Sequence, residues 1–269
     1  MDTGLKDKVA LITGGSSGIG QGIALALARE GVHIAVASRN PDPEAIKEIE
    51  AQGVRTLRLS VDVGKEDQVV RMVQETIAGL GGLDLYINNA AAHWDESAAK
   101  LTTEGWLNSI HTNLSACVWA CREVASHFVA QRHGSILIIG STAAWNPLYK
   151  ETSYRVSKGG LKMYMEVLAI ELAPFGVRVN MITPGYFRTR LTAFFGGEQE
   201  KRMLEEIPLR RPAQPEEIGS SAVLLLSDKL SSYTTGSELV VDGGAKLRPL
   251  PIYSDDEIRR MSSGQSVDP

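Results

Sequence analysis

The chain has 269 residues, 43% hydrophobic and 22% charged, a balance that supports a globular core and excludes fibrous or disordered classes. A formal net charge of −4 offers no broad basic surface to draw it to nucleic acid or an anionic membrane. There are two cysteines, no zinc-type His/Cys spacing, no signal-like start and no run near the roughly 18 apolar residues of a membrane span; small-molecule chemistry in the cytoplasm, without a metal, is the expectation.

Apolar runs without alternation recur at 9–13, 33–38, 56–61, 83–88, 135–139, 178–183 and 238–242, as in strands covered on both faces. Helical periodicity fills most of the intervals. The sequence therefore predicts an α/β doubly wound parallel sheet, a Rossmann fold with helices on both faces, as a single domain. Pro41 and Pro43 delay a helix to near Glu44, Gly81-Gly82 ends the helix before the fourth strand, and Pro174 and Gly176 close the helix from Ser157. Cys117 and Cys121 share one helix face and read as small apolar core residues. Two segments fit the alternation poorly. Residues 186–215 are expected to form a helical flap over the site, and 247–269 a surface arm or frayed tail, leaving 1–246 as the catalytic domain.

The strand 9–13 runs into Thr13-Gly14-Gly15-Ser16-Ser17-Gly18-Ile19-Gly20 and then into a helix over 21–30. Glycines there let the backbone approach a pyrophosphate, and the first helical N–H groups offer donors with a partial positive charge. Downstream stand Asn88-Asn89-Ala90, Ser141, Tyr154-x-x-x-Lys158 and Pro184-Gly185. Together these motifs resemble the short-chain dehydrogenase/reductase family, in its order and at its spacings, over about residues 5–246. Ala91 departs from the glycine that the family often carries.

The resemblance implies a nicotinamide coenzyme held by Gly14, Ser16, Ser17, Gly18 and Ile19 at the loop, and by Ser38 and Arg39 after the second strand. Ser38 stands where users of NAD would place an acid. Arg39 can pair with a ribose 2′-phosphate, which favours NADP(H), with NAD as the alternative. Asp62 and Val63 match the adenine contact, Asn89 and Ala90 the stretch lining the adenosine ribose, and Asn88 a brace for the neighbouring strand. Pro184, Gly185, Phe187 and Thr189 match the segment holding the carboxamide, where the Phe187 ring is expected to narrow the pocket.

Tyr154 and Lys158, four apart on a helix, face the same way, and an ammonium there would favour phenolate. By the resemblance Tyr154 is the general acid/base and Lys158 also bonds the nicotinamide ribose. Ser141 steadies the substrate oxygen, and Asn113 props open a helix kink and holds a relaying water. His93, Trp94, Trp145, Asn146, Tyr149, Lys150, Tyr186, Arg190 and Phe194 are candidates for the substrate pocket, a mix suited to a sugar, polyol or cyclic ketone. The stretch Trp145–Tyr149 adds a slighter likeness to bacterial glucose dehydrogenases of that family. A 3-oxoacyl thioester reductase and a non-catalytic NADP(H) sensor are the alternatives. The resemblance also implies a homotetramer packed through helices near 106–128 and 157–173, although Met163, Val167 and Ile170 would equally suit an internal core.

Overall fold

The computed structural model describes residues 2–94, 96–148, 150–193 and 196–247. In β1 (Val9–Thr13) all five residues are buried, and they divide between two cores: Val9 and Leu11 face one, Ala10 and Ile12 the other. A strand of that kind is stable only in the middle of a sheet covered twice. Six more strands join it, all parallel: β2 (His33–Ser38), β3 (Thr56–Ser60), β4 (Leu85–Asn88), β5 (Gly134–Ile139), β6 (Val177–Pro184) and β7 (Glu238–Val241). Their spatial order is β3-β2-β1-β4-β5-β6-β7. The chain thus winds outward from β1 in one direction and from β4 in the other, and the carboxyl ends of these two strands open a crevice at the switch.

The helices are α1 (Gly18–Arg29), α2 (Pro43–Glu50), α3 (Glu66–Leu80), α4 (Thr103–Ile110), α5 (Ala116–Gln131), α6 (Thr152–Leu172), α7 (Gly197–Glu205), α8 (Gly219–Leu226) and α9 (Asp228–Ser231). Ile23, Leu27, Ile46, Ile49 and Leu225 carry α1, α2 and α8 onto one face of the sheet. Met72, Val73, Cys117, Cys121, Phe128, Leu161 and Met165 carry α3, α5 and α6 onto the other. Both cysteines are fully buried, as small apolar residues of that second face. No helix among the described residues is long and apolar enough to cross a membrane.

Element boundaries differ from the expected ones for local reasons. β4 starts at Leu85 because the Asp84 carboxylate turns aside to accept from the Val9 N–H at 2.8 Å and Lys8 Nζ at 3.1 Å. β7 stops at Val241 because Asp242 accepts from the N–H groups of Gly244 and Lys246 and starts a turn. α6 begins at Thr152, ahead of Ser157, which puts Tyr154 in its first turn. The helical region near 106–128 is two helices joined by a π-helical turn, His111–Ser115, in which the Ala116 N–H reaches the His111 carbonyl.

After β6 the flap leaves and returns through a bridge between Phe187 and Ala213, and it holds a 3₁₀ turn (Arg190–Thr192) and α7. Met163, Val167 and Ile170 are 61%, 41% and 78% exposed on the outer face of α6, so they are not an internal core. Tyr149, Phe194 and residues 248–269 of the expected tail lie outside the described residues.

Candidate active site

Thr13, the last residue of β1, organises the glycine loop. Its Oγ1 accepts from the Asn89 N–H at 2.9 Å and the Ala90 N–H at 3.1 Å, tying β1 to the end of β4. The Asn89 side chain in turn donates to the carbonyls of Thr13 (2.9 Å) and Gly14 (3.3 Å). Asn89 is therefore the brace, while Asn88, the expected brace, is buried and accepts from the Tyr86 hydroxyl at 3.1 Å. Gly14 turns the chain at φ +68°, a conformation that suits glycine. At Gly20 a Cβ would lie 2.3 Å from the Gly14 carbonyl oxygen and 2.5 Å from Asn89 Nδ2. That position admits only hydrogen, and the start of α1 is drawn tight against the loop. Ser17, the N-cap, supplies no side-chain cap bond, which leaves the first N–H groups of the helix as donors for an anion.

A cavity of about 390 Å³ runs over this loop and along the carboxyl ends of the strands. One end is walled by Ser16, Ser38, Arg39, Asn40, Asp42 and Val63, with the Ser16 and Ser38 hydroxyls in contact at 3.2 Å. Gly14, Ser17, Gly18, Ile19, Asn89 and Ala90 line the middle. Asp62 turns its carboxylate to the Gly64 N–H at 3.1 Å, and Val61 and Val63 form the wall beside it. The other end is made by Ser141, Tyr154, Lys158, Pro184, Gly185, Phe187 and Thr189. Phe187 is only 2% exposed and belongs to the apolar core beneath the sheet, so its ring does not narrow the cleft as expected. Thr189 stands over the glycine loop, close enough that a Cβ on Gly18 would meet it at 3.2 Å.

Tyr154, Lys158 and Ser141 converge from two elements. Ser141 follows β5 and faces Tyr154 at this end of the cavity, and its Oγ accepts from the Ala143 N–H at 3.1 Å. Lys158 Nζ lies 5.8 Å from the centre of the Tyr154 ring and donates to the Ile139 carbonyl at 3.0 Å. The expected acid shift of the phenol by this ammonium is not found. Burial pushes the Tyr154 phenol up, with the Glu151 carboxylate adding to the effect and the Ser141 hydroxyl and Arg155 opposing it. Burial likewise pulls Lys158 down to about 8. A dry pocket penalises both charged forms, and the sequence spacing carries no information on that dryness.

Asn113 lies in the π-helical turn, off the cavity wall. Its side chain accepts from the Ala92 N–H at 2.8 Å, donates to the Ala92 carbonyl at 2.9 Å, and reaches Ser157 Oγ at 3.2 Å. Ser157 Oγ donates to the Tyr154 carbonyl at 2.6 Å. Asn113 thus ties the loop after β4 to the first turn of α6. Of the substrate candidates, Arg190 lines the cavity, whereas His93, Trp94, Trp145, Asn146, Lys150 and Tyr186 lie beyond its wall. His93 packs edge-on to the Tyr154 ring, Lys246 Nζ sits 4.0 Å above the Trp145 ring, and the Tyr186 hydroxyl donates to Glu200 at 2.9 Å. The roles of Thr13, Ser157 and Glu151 were not read from the sequence; Thr13 stands in the loop motif, and the other two carry no signal before folding.

A family model described as enoyl-(acyl carrier protein) reductase matches residues 14–246. A 3-oxoacyl-[acyl-carrier-protein] reductase of Staphylococcus epidermidis is 33% identical over 243 residues, covering 88% of this chain and 98% of that protein. A short-chain type dehydrogenase/reductase from Mycobacterium marinum superposes with a TM-score of 0.84 at 34% identity, covering 90% of this chain and 96% of the other. A candidate 2-deoxy-D-gluconate 3-dehydrogenase of Agrobacterium tumefaciens, solved with bound NADP, superposes with a TM-score of 0.84 at 28% identity and coverages of 90% and 98%. Fold, site and likeness together define an oxidoreductase. The chain belongs to the short-chain dehydrogenase/reductase family.

Proposed function

We propose that the protein moves a hydride between NADP(H) and a carbonyl or secondary alcohol, with Tyr154 as proton donor or acceptor. The observation that carries this reading is one continuous cavity, with the glycine loop and Arg39 toward one end and Ser141, Tyr154 and Lys158 at the other. The residues fit a nicotinamide dinucleotide: the uncapped start of α1 suits the pyrophosphate, and the side-chain-free Gly14 and Gly18 on the cavity wall leave it access. Arg39 and Ser38 suit a 2′-phosphate, and a related protein was solved with bound NADP.

When bound, the nicotinamide supplies or receives the hydride. Ser141 and Tyr154 then hydrogen-bond the oxygen of the substrate, and Tyr154 passes the proton as charge grows there. Lys158, anchored by the Ile139 carbonyl, has N–H donors left for the ribose. Its charge lowers the phenol's pKa once a polar ligand relieves the dryness that now raises the phenol and lowers the amine. Asn113 fixes the first turn of α6 so that the phenol meets the substrate at one position. A NADP(H) sensor without turnover would have no use for this set.

For the substrate we favour a sugar, polyol or cyclic ketone, because Arg190, Leu191 and Thr192 bring polar and apolar groups together on the cavity wall. A 3-oxoacyl thioester is the second reading, favoured by the 33% identical reductase. A panel of sugars, polyols, cyclic ketones, 3-oxoacyl thioesters and enoyl thioesters, run with NADPH, NADP, NADH and NAD, tests both. Turnover of a hydroxylated or cyclic substrate with the phosphorylated coenzyme is expected; turnover confined to thioesters favours the second reading, and none at all sinks both. We further propose a homotetramer assembled through the exposed apolar faces of α4, α5 and α6, where Leu107, Val118, Met163 and Ile170 stand outward.

A further inference from the structure

Three side chains cluster against Tyr154 and have no part in the mechanism above. The His93 imidazole meets the Tyr154 ring edge-on, with centroids 5.4 Å apart and planes at 61°. Its Nε2 lies 3.4 Å from one oxygen of Glu151, whose other oxygen accepts from Arg155 Nη2 at 2.7 Å. The side chains of His93 and Glu151 are only 15% and 11% exposed. Burial works against the Glu151 charge, but His93 and Arg155 together outweigh it and hold the carboxyl below its ordinary range. The backbone adds rigidity: Glu151 forms a parallel bridge with Glu96, and the Glu96 carboxylate accepts from the N–H and hydroxyl of Thr102. The loop after β4 is thereby fixed to the start of α6.

Among the described residues, Glu151 just before α6 and Arg155 and Lys158 on it face the phenol, with His93 from the loop after β4 and the uncharged Ser141 from the end of β5. Glu151 and Arg155 cancel. Lys158 is anchored on the Ile139 carbonyl and is the group already assigned to the reaction. The protonation of His93 therefore decides whether a further positive charge stands beside the ring.

We propose that His93 is a positioning residue that acts through Tyr154: Glu151 holds the imidazole against the phenol ring, and each time the imidazole takes a proton the phenol becomes the stronger acid. The proposal rests on the assignment of the reaction to Tyr154. A unit charge at this range, in surroundings of intermediate polarity, moves a neighbouring ionisation by about one pH unit. Carbonyl reduction, which takes a proton from Tyr154, then runs faster when the imidazole is protonated, and alcohol oxidation at the same pH gains in step, since both directions cross one transition state.

The test is an NMR titration of the full-length protein without added coenzyme, labelled at the tyrosine ring carbons, with the Tyr154 signal assigned by its loss in Tyr154→Phe. The expected result is a small step of that signal, separate from the ionisation of the phenol itself and absent in His93→Gln. In turnover, His93→Gln is expected to lose up to about tenfold in kcat for reduction on the acid side of the pH profile, with KM within twofold and the corresponding step gone from that profile. A Tyr154 signal with no step in the wild-type titration overturns the proposal, even if His93→Gln does not fold. So does a His93→Gln protein with the wild-type pH profile, or one changed in KM alone. Undiminished turnover by Tyr154→Phe would instead sink the Tyr154 assignment, while the titration still reports whether the two rings are coupled.

Discussion

Lys158 is 3% exposed, and burial brings its pKa from an ordinary 10.5 down to about 8, so the folded chain holds that proton less tightly than the unfolded one. Between those two values the unfolded state binds more protons, and stability contributed by this site rises with pH; below about 8 the whole penalty is present. Tyr154, whose pKa is raised, acts in the opposite sense only above its own ordinary range. Lys158→Met is therefore expected to be more stable than wild type near neutral pH by about 3 kcal/mol, and to lose the rise toward alkaline pH. Urea unfolding across the pH range checks this, and an unchanged slope would contradict it. At the other end of the cavity, Arg39→Asp should shift coenzyme preference from NADP(H) toward NAD(H) by at least tenfold in kcat/KM, since a carboxylate repels a 2′-phosphate. Comparing both coenzymes with one substrate decides it. The identities of Tyr154, Lys158 and Ser141 were legible because their residue types and spacing survive in the linear chain. Their ionisation was not, because it depends on how far β5, α6 and the loop after β4 exclude water once packed.

Among the elements, β6 shows how a buried charge can join secondary structures. Arg178 is 7% exposed and donates to the carbonyls of Leu225 (2.7 Å) and Leu226 (3.0 Å) at the end of α8, and to Asp228 at 3.0 Å. It satisfies carbonyls that a helix end leaves open. Arg178→Met should cost about 3 kcal/mol and detach α8 and α9 from the sheet before the rest unfolds. Hydrogen exchange of the α8 amides, faster in the variant than in wild type, would bear this out; equal protection would contradict it. Most strands were legible from apolar runs because a doubly covered strand needs no polar face. The kink at Asn113 was expected from the resemblance alone, and no local pattern marks it as a π-helical turn, since Asn113 holds it through Ala92, which is distant in sequence. The start of α6 at Thr152 was missed for a similar reason: the Glu151 backbone before it is held by Glu96, which no local pattern reveals.

For the molecule as a whole, the outward row of Met163, Val167 and Ile170 on α6 is the feature to test for assembly. Charges placed there by Met163→Glu and Ile170→Glu would have to be desolvated in any interface, so the double variant of the proposed tetramer should fall to smaller species while keeping its fold. Light scattering beside circular dichroism reads both; a double variant of unchanged size would place the interface elsewhere. The doubly wound arrangement was legible from the alternation of strands and helices, whereas the reversal of strand order between β1 and β4, and with it the crevice, shows only in the assembled sheet. Which outward face meets another copy was not, because exposure is known only once the helix has packed. The measurement that bears most directly on the whole account is made on Tyr154→Phe, by titrating NADPH binding and assaying hydride transfer on the same preparation. Binding within threefold of wild type with turnover lower by about 10³ is the expected result. Turnover near that of wild type would contradict it.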